Sequence, residues 1–188
     1  MLPKVNKQSF YCMCYNSSKG VDFMSKGNLV FFCGKMGAGK TTYAKELSNE
    51  PHTFYLSEDE ILSSFYPNEI HNIKDYVLYS NRIKPYIMHL VKKLTKNALT
   101  VIMDFPGNTV KQREWFKMLI ETCQVDGKLI YLKVADEICL SQIKKRRQEE
   151  PDRHQFDHKE MFYQMTKYFQ EPSEEEGLKI EIIKRENF

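Results

Sequence analysis

The sequence lacks most features that mark membrane-spanning, secreted and fibrous proteins. No apolar run among its 188 residues approaches the ~18 residues of a membrane span. The first twenty residues have no continuous apolar core, so a secretory signal is not expected. A net charge of only +3 does not by itself indicate a nucleic-acid partner. With 41% hydrophobic residues and 28% charged residues, the chain is predicted to form one globular domain of ordinary size.

Cysteine and histidine are too scattered to predict a disulfide framework or a metal site. The five cysteines are an odd number, and three of them lie in apolar patterns, which favours a reduced, cytoplasmic location. Cys12 and Cys14 form a C-x-C pair, but no second cysteine or histidine pair lies nearby to complete a zinc site. His154 and His158 lie in a charged stretch and indicate a solvated face rather than a ligand pair.

Residues 1–27 differ from the rest of the chain, since they are polar and show no clear period. They are predicted to form a flexible N-terminal extension, and residues 28–188 the folded domain. Met24 stands just before the first regular segment. Either residues 1–27 are an N-terminal extension, or Met24 is the natural start and the residues before it are an upstream addition.

From Asn28 onward, short apolar runs alternate with helical periodicities. A continuous apolar run such as 29–33 is typical of a buried parallel strand. Capping boxes at Ser57–Glu60 and Thr109–Gln112 mark two helix starts. Strands are predicted at 29–33, 52–56, 99–104, 128–134 and 178–183; helices are predicted at 39–47, 57–64, 75–96, from 109, at 136–148, and up to about 169. This alternation predicts an α/β fold, with a five-stranded parallel sheet covered by helices on both faces.

The strongest chemical signal is GKMGAGKT at residues 34–41, which matches G-x-x-x-x-G-K-T and lies between a predicted strand and helix. Glycines let backbone N–H groups converge on phosphate oxygens, and the helix N-terminus adds to the attraction. Lys40 is predicted to reach the β- and γ-phosphates and Thr41 to bind Mg²⁺. The predicted nucleotide-binding residues are Gly34, Lys35, Met36, Gly37, Ala38, Gly39, Lys40, Thr41 and Thr42.

Two groups of acidic residues follow predicted strands and should open onto the same sheet edge. Asp104 is the candidate to complete the Mg²⁺ shell opposite Thr41; its alternative role is to cap the turn before Pro106. Among Glu58, Asp59 and Glu60, a carboxylate could deprotonate an acceptor hydroxyl, and Asp59 is preferred because Glu60 completes the capping box. The alternative is that all three complement the helix dipole.

Basic residues supply candidates for charge neutralisation and acceptor binding. Arg146, Arg147 and Arg153 lie in or after a late helix and could close over the transferring phosphate, or simply complement that helix's C-terminus. Arg82 and Arg113 lie on predicted helices and could hold the acceptor. Ordinary surface ion pairs are the alternative for both.

Six segments carry a family resemblance: GKMGAGKTT (34–42), YLSEDEIL (55–62), YSNRIKP (79–85), VIMDFPGNTVKQREWF (101–116), CLSQIKKRR (139–147) and PSEEEG (172–177). Over residues 28–186 the chain resembles the small P-loop kinases. Within these it looks like the AAA-like ATP-binding proteins grouped with polynucleotide kinase, zeta toxin, chloramphenicol phosphotransferase and gluconate kinase. The resemblance implies a P-loop NTPase fold with strand order 2-3-1-4-5 and a small helical lid.

The resemblance also implies roles for individual residues. ATP and Mg²⁺ would bind at residues 34–42, with Asp104 at the Walker-B-like position. Asp59 matches the base of the polynucleotide-kinase relatives, and Arg146 or Arg147 matches a lid arginine. Those relatives usually carry an arginine soon after the base, whereas Glu60, Ile61 and Leu62 stand here, which leaves the acceptor open.

Three functions compete on these observations. An ATP-dependent kinase would transfer the γ-phosphate to a hydroxyl, with a small-molecule acceptor favoured and a nucleic-acid 5′-hydroxyl as the other possibility. A nucleotide-gated ATP-binding partner protein is the main alternative. A GTP switch is suggested by the D-x-x-G match at 104–107, but YLKVAD at 131–136 stands where the guanine-reading element is expected. The oligomeric state is not predicted.

Overall fold

Five short strands form one parallel sheet at the centre of the molecule. The computed structural model describes residues 26–150 and 157–185. Its strands are β1 (Leu29–Cys33), β2 (Thr53–Ser57), β3 (Thr100–Pro106), β4 (Gly127–Val134) and β5 (Ile180–Arg185). Their order is β2-β3-β1-β4-β5, and every neighbouring pair is parallel. The predicted fold class and strand order are therefore confirmed.

The helices lie close to their predicted positions. They are α1 (Lys40–Leu47), α2 (Glu58–Phe65), α3 (Ile73–Lys96), α4 (Val110–Cys123), α5 (Asp136–Glu149) and α6 (Lys159–Thr166), with a 3₁₀ turn at Glu174–Glu176. α3 starts two residues earlier than predicted because the Asn72 side chain caps it, accepting from the N–H groups of Lys74 and Asp75. None of the helices in the described part of the chain is long and apolar enough to span a bilayer.

Only one of the two predicted capping boxes is complete. At α4, the Thr109 side chain accepts from the N–H of Gln112, and Gln112 reaches back to the Thr109 N–H. At α2, Ser57 accepts from the N–H of Glu60, but the Glu60 carboxylate lies 3.9 Å from Lys45 instead of returning to Ser57. The prediction that Glu60 completes a box was therefore wrong.

The sheet separates two apolar layers, and β1 is buried on both faces. Leu29, Phe31 and Cys33 face the layer that contains α3 and α4, whereas Val30 and Phe32 face the layer that contains α1, α5 and α6. This explains why the β1 sequence is continuously apolar rather than alternating. All five β1 residues are buried, so the loop that follows begins from a strand packed on both faces.

β3 extends two residues beyond its predicted end and contains an irregularity next to the candidate site. Phe31 of β1 pairs with Met103, but Phe32 pairs with Pro106, so two residues of β3 are left over. On the other side, Asp104 pairs with Ser57 at the end of β2. A bulge of this kind redirects a side chain. It places half-buried Asp104 at the carboxyl edge of the sheet.

Candidate functional site

The loop between β1 and α1 has the backbone shape that its glycines permit. Gly34, Gly37 and Gly39 have φ angles of 155°, 75° and 86°, values that side-chain-bearing residues rarely adopt. A Cβ atom on Gly37 would also lie 2.5 Å from the Cys139 carbonyl oxygen of α5. Both the backbone angle and this close approach to α5 therefore require glycine at position 37.

Lys40 opens α1 and folds back over the loop. Its Nζ donates to the carbonyl oxygens of Gly34 at 2.6 Å and Lys35 at 3.0 Å. Burial lowers the pKa of Lys40, and attraction to Cys33 and Asp104 partly offsets this effect. Across residues 26–150 and 157–185, no carboxylate lies within ion-pair distance of this amino group. A cation that is held by carbonyl oxygens at a helix N-terminus keeps its charge available to bind an anion.

The residues at this edge fit a nucleotide with Mg²⁺. Thr41 and Thr42 expose their side chains at the start of α1. Across from them, the Asp104 carboxylate accepts from the Tyr55 hydroxyl at 3.0 Å, which orients it. Hydroxyl and carboxylate oxygens are the ligands that Mg²⁺ prefers. The structure thus brings Asp104 and the loop to one edge of the sheet, which agrees with their predicted positions at the carboxyl ends of β3 and β1.

The loop is also tied to its surroundings by side chains that the sequence analysis missed. The Gly34 N–H donates to Asn108 Oδ1 at 3.1 Å, and Lys35 Nζ contacts Asp136 at the start of α5. No sequence pattern singles out Asn108; its one signal is the neighbouring Thr109–Gln112 capping box.

Burial raises the pKa of Cys33 at the end of β1 to about 11, so this thiol stays protonated at neutral pH.

The three acidic residues after β2 separate into one buried and two exposed side chains. Glu58 is only 2% exposed. Its carboxylate accepts from the Ser80 hydroxyl at 2.6 Å and from the Tyr76 hydroxyl. Burial raises the pKa of Glu58. Asp59 and Glu60 are exposed at the sheet edge. Glu58 therefore connects α2 to α3. Asp59, the preferred candidate for the base that deprotonates the acceptor hydroxyl, is accessible to solvent.

A small cavity lies beside Glu58, on the side of the sheet covered by α3 and α4. Its volume of about 30 Å³ accommodates one or two water molecules rather than a substrate. Lys84 Nζ lies 5.3 Å from the centre of the Trp115 ring at its wall. The lining residues are Glu58, Ser80, Lys84, Phe105, Pro106, Gln112, Trp115 and Phe116.

Arg146 lies close enough to the loop to act on it electrostatically. Repulsion from its guanidinium contributes to the lowered pKa of Lys40. Arg146 is itself held by Asp157, with Nε–Oδ2 and Nη2–Oδ1 distances of 2.6 Å. Arg147, the neighbouring candidate, is half-buried on α5. Arg153, the third candidate, lies outside the described residues.

The structure places Arg113 and Arg82 in different surroundings. The Arg113 side chain is fully buried and donates to Glu176, Gly107 O and Gln170 O. The prediction that it binds substrate is replaced by an internal role, because its guanidinium is committed to the protein. Arg82 is exposed on α3, and its guanidinium lies 5.2 Å from the Tyr79 ring.

Comparisons with solved structures agree with this fold. APS kinase CysC from Mycobacterium tuberculosis, solved with AMPPNP and APS, has a TM-score of 0.59 and 14% identity, covering 87% of this chain and 91% of its own. Kti12 from Chaetomium thermophilum, solved with ADP-AlF3, has a TM-score of 0.60 and 14% identity, covering 83% and 88%. A sugar kinase from a Janibacter species has a TM-score of 0.56 and 13% identity, covering 84% and 85%.

At these identities the likeness shows the shared fold alone. No curated protein shows a significant match to the chain. The family model described as an AAA domain matches residues 29–172, which include the loop, Asp59, Asp104 and Arg146. Since this match spans most of the sequence, the chain belongs to the AAA domain family of P-loop, kinase-like proteins.

Proposed function

We propose that this protein is an ATP-dependent phosphotransferase that moves the γ-phosphate to a hydroxyl acceptor. The observation that carries the proposal is the setting of Lys40. Its amino group lies at the N-terminus of α1 and, within the described part of the chain, is bound only to the carbonyls of Gly34 and Lys35, with Asp104 across the sheet edge. Phosphate oxygens are the anions that such a loop binds.

The nucleotide would be held by the backbone of residues 34–42. N–H groups near the start of α1 would bind phosphate oxygens, and the Lys40 amino group would pair with the β- and γ-phosphates. The Thr41 hydroxyl and the Asp104 carboxylate would hold Mg²⁺, which supplies neutralisation of phosphate charge when bound.

In the proposed transfer step, each group has a defined role in moving the proton or the phosphoryl group. Asp59 accepts the proton of the acceptor hydroxyl, whose oxygen forms a bond to the γ-phosphorus. The bond between that phosphorus and the β–γ bridging oxygen breaks, and ADP leaves. Arg146 or Arg147 stabilises the charge that develops on the transferring group. In this proposal Arg146 exchanges Asp157 for phosphate.

Structural neighbours described as kinases support phosphoryl transfer in general, including one solved with AMPPNP and a second small molecule, APS. A small-molecule acceptor is favoured here too, because a net charge of +3 provides a poor footprint for a long nucleic acid. A nucleic-acid 5′-hydroxyl is the second acceptor to test. The cytoplasmic location inferred from the scattered cysteines stays a prediction.

A nucleotide-gated partner protein is the second candidate function. One observation favours it: the loop contacts α5 at two points, through Gly37 against Cys139 and through Lys35 to Asp136. A phosphate that moves the loop would therefore act on α5. If the protein has this second function, ATP hydrolysis is slow, and nucleotide binding changes the surface of the protein instead of producing a phosphorylated acceptor.

Incubation with γ-labelled ATP and Mg²⁺ distinguishes the two functions. The acceptors are a 5′-hydroxyl oligonucleotide and a panel of hydroxylated metabolites; the variants are Lys40→Ala and, as a matched control on the same helix, exposed Lys45→Ala. We expect label on one acceptor class, lost in Lys40→Ala and kept in Lys45→Ala. Transfer by Lys40→Ala at the wild-type rate contradicts the kinase proposal. ATP binding without any labelled acceptor favours the gated partner.

A further inference from the structure

We propose that four residues outside the phosphate-binding loop set the shape of the loop and thereby its affinity for ATP. They are Asn108, Arg113, Gln170 and Glu176, which we call the clamp. The clamp links the turn before β5 to Gly34, the first residue of the loop. The ATP readout of this inference rests on the proposed function.

The outer part of the clamp is a two-point ion pair. Arg113 Nε donates to Glu176 Oε2 at 2.6 Å, and Nη2 donates to Glu176 Oε1 at 2.8 Å. The arginine is fully buried, and the Glu176 side chain is 13% exposed. The Ser173 N–H also donates to Glu176 Oε1 at 3.0 Å, so the carboxylate organises its own turn.

The middle part joins two loops that are distant in sequence. Arg113 Nη1 donates to Gly107 O at 3.0 Å and to Gln170 O at 2.9 Å. Gln170 makes two further bonds, both of 2.9 Å: its N–H donates to Asn108 O in the loop after β3, and its Oε1 accepts from the N–H of Val110 at the start of α4. The segment after α6 therefore fixes the position of Asn108.

The inner part holds one residue of the phosphate-binding loop on two sides. Asn108 Oδ1 accepts from the Gly34 N–H at 3.1 Å, and Gly34 O accepts from Lys40 Nζ at 2.6 Å. Gly34, through its N–H and its carbonyl group, thus connects the clamp to the lysine that would meet the phosphates. Asn108 itself is kept in place by Gln112, whose Oε1 accepts from the Asn108 N–H at 2.9 Å.

A clamp of this kind matters most before the nucleotide arrives. Gly34 has a φ of 155°, and glycine pays a larger entropy cost than other residues when its backbone is fixed. If neighbouring side chains order Gly34 in advance, less ordering remains to be done when ATP binds. Loss of the clamp should therefore weaken ATP binding, although no clamp side chain needs to contact the nucleotide.

The test compares Asn108→Ala and Glu176→Gln with a matched control, Glu175→Gln, which changes an exposed glutamate of the same turn. A fluorescent ATP analogue with Mg²⁺ is titrated well below the melting temperature of every variant. We expect Kd to rise about fivefold for Asn108→Ala, the effect of losing one positioning hydrogen bond. Glu176→Gln should shift Kd in the same direction, and Glu175→Gln should leave it unchanged.

A second readout needs no nucleotide. Amide hydrogen exchange of a peptide covering residues 29–40 should be faster in Asn108→Ala than in the wild type. Asn108→Asp keeps an accepting oxygen and should restore wild-type protection of the Gly34 amide. If Asn108→Ala does not fold, Gln170→Ala removes the Val110 bond to its side chain and is measured in the same way.

The outcomes separate the clamp from the proposed function. Suppose that the clamp variants have a lower melting temperature but an unchanged Kd for the ATP analogue and unchanged amide hydrogen exchange. That result overturns the clamp, because the clamp residues would then contribute to stability alone. If the wild type binds no nucleotide, the proposed function fails, and with it the ATP readout. Faster exchange in Asn108→Ala would still show that the clamp orders the loop, and unchanged exchange would overturn the clamp as well.

Discussion

Two arginine–carboxylate pairs in this protein have nearly the same geometry but opposite accessibility. Arg113 with Glu176 and Arg146 with Asp157 each include a two-point contact with a distance of 2.6 Å. In the first pair the arginine side chain is fully buried and the carboxylate is 13% exposed. In the second, the arginine is 33% exposed and the carboxylate is fully buried. Solvent thus reaches the cation in only one of the two pairs.

This difference in burial marks Arg113 as a structural cation, whereas Arg146 is the cation that we propose changes partners. The Arg113 guanidinium also donates to two backbone carbonyls, so its release would leave several buried groups unpaired. The Arg146 guanidinium lies close enough to Lys40 to help lower its pKa, and its side chain is 33% exposed. Its Asp157 contact resembles the contact that a phosphate would make. Pair geometry alone therefore does not reveal function; burial and second partners do.

The largest effect is expected from breaking the buried pair. Arg113→Met removes the guanidinium and leaves Glu176 facing an apolar surface, which should lower the free energy of unfolding by about 3 kcal/mol. In a chain of this size, that corresponds to a fall of about 10 °C in melting temperature. Thermal unfolding followed by circular dichroism measures it. Unchanged melting would contradict a structural role for Arg113.

The second effect concerns the accessible pair and catalysis. Arg146→Lys keeps a cation but loses the planar two-point contact, so kcat for phosphoryl transfer should fall about 100-fold. Melting should shift less than in Arg113→Met, since the lysine keeps a cation that can pair with the buried Asp157 carboxylate. Arg147→Lys is the matched variant on the next position of α5. If Arg147→Lys has the larger effect on kcat, the roles of the two arginines are exchanged.

A smaller effect is expected in the pH dependence of stability. The hydrogen bond from Arg113 holds the pKa of Glu176 below its ordinary value of 4.5, despite opposing burial. Because the folded-state pKa is depressed, this stabilisation is fully present above pH 4.5 and is lost as pH falls through the folded-state pKa. Glu176→Gln should be less stable than the wild type at pH 6. Denaturant titrations should show the difference shrinking on acidification, whereas a constant difference would contradict this linkage.

The smallest effect belongs to an exposed pair that serves as a reference. Lys145 and Glu149 lie one turn apart on α5, with side chains 75% and 62% exposed. Glu149→Gln should change the free energy of unfolding by less than about 0.5 kcal/mol, because water already solvates both charges. Urea unfolding in low and high salt measures this change. A loss as large as that of Arg113→Met would show that burial does not control pair strength here.

Much of the fold could be predicted because its signals are local. The run at 29–33, the glycines of the loop and the periodicity of α3 each predict an element from consecutive residues. The errors lie where partners are distant: Arg113 meets Glu176 across 63 positions. Nothing near either residue in the sequence marks the contact. Similarly, the pattern of Glu58, Asp59 and Glu60 could not show that Tyr76 and Ser80 bury the first of them.

The sequence by itself determined the alternation of strands and helices and the phosphate-binding loop, because hydrophobic period and glycine backbone freedom act over a few residues. Only the tertiary structure decided which arginine is buried, which is accessible and which carboxylate is withdrawn from solvent. Those properties depend on burial and on hydrogen-bond partners brought together from separate elements. The bulge of β3 at Asp104 likewise follows from strand pairing, which no single segment specifies.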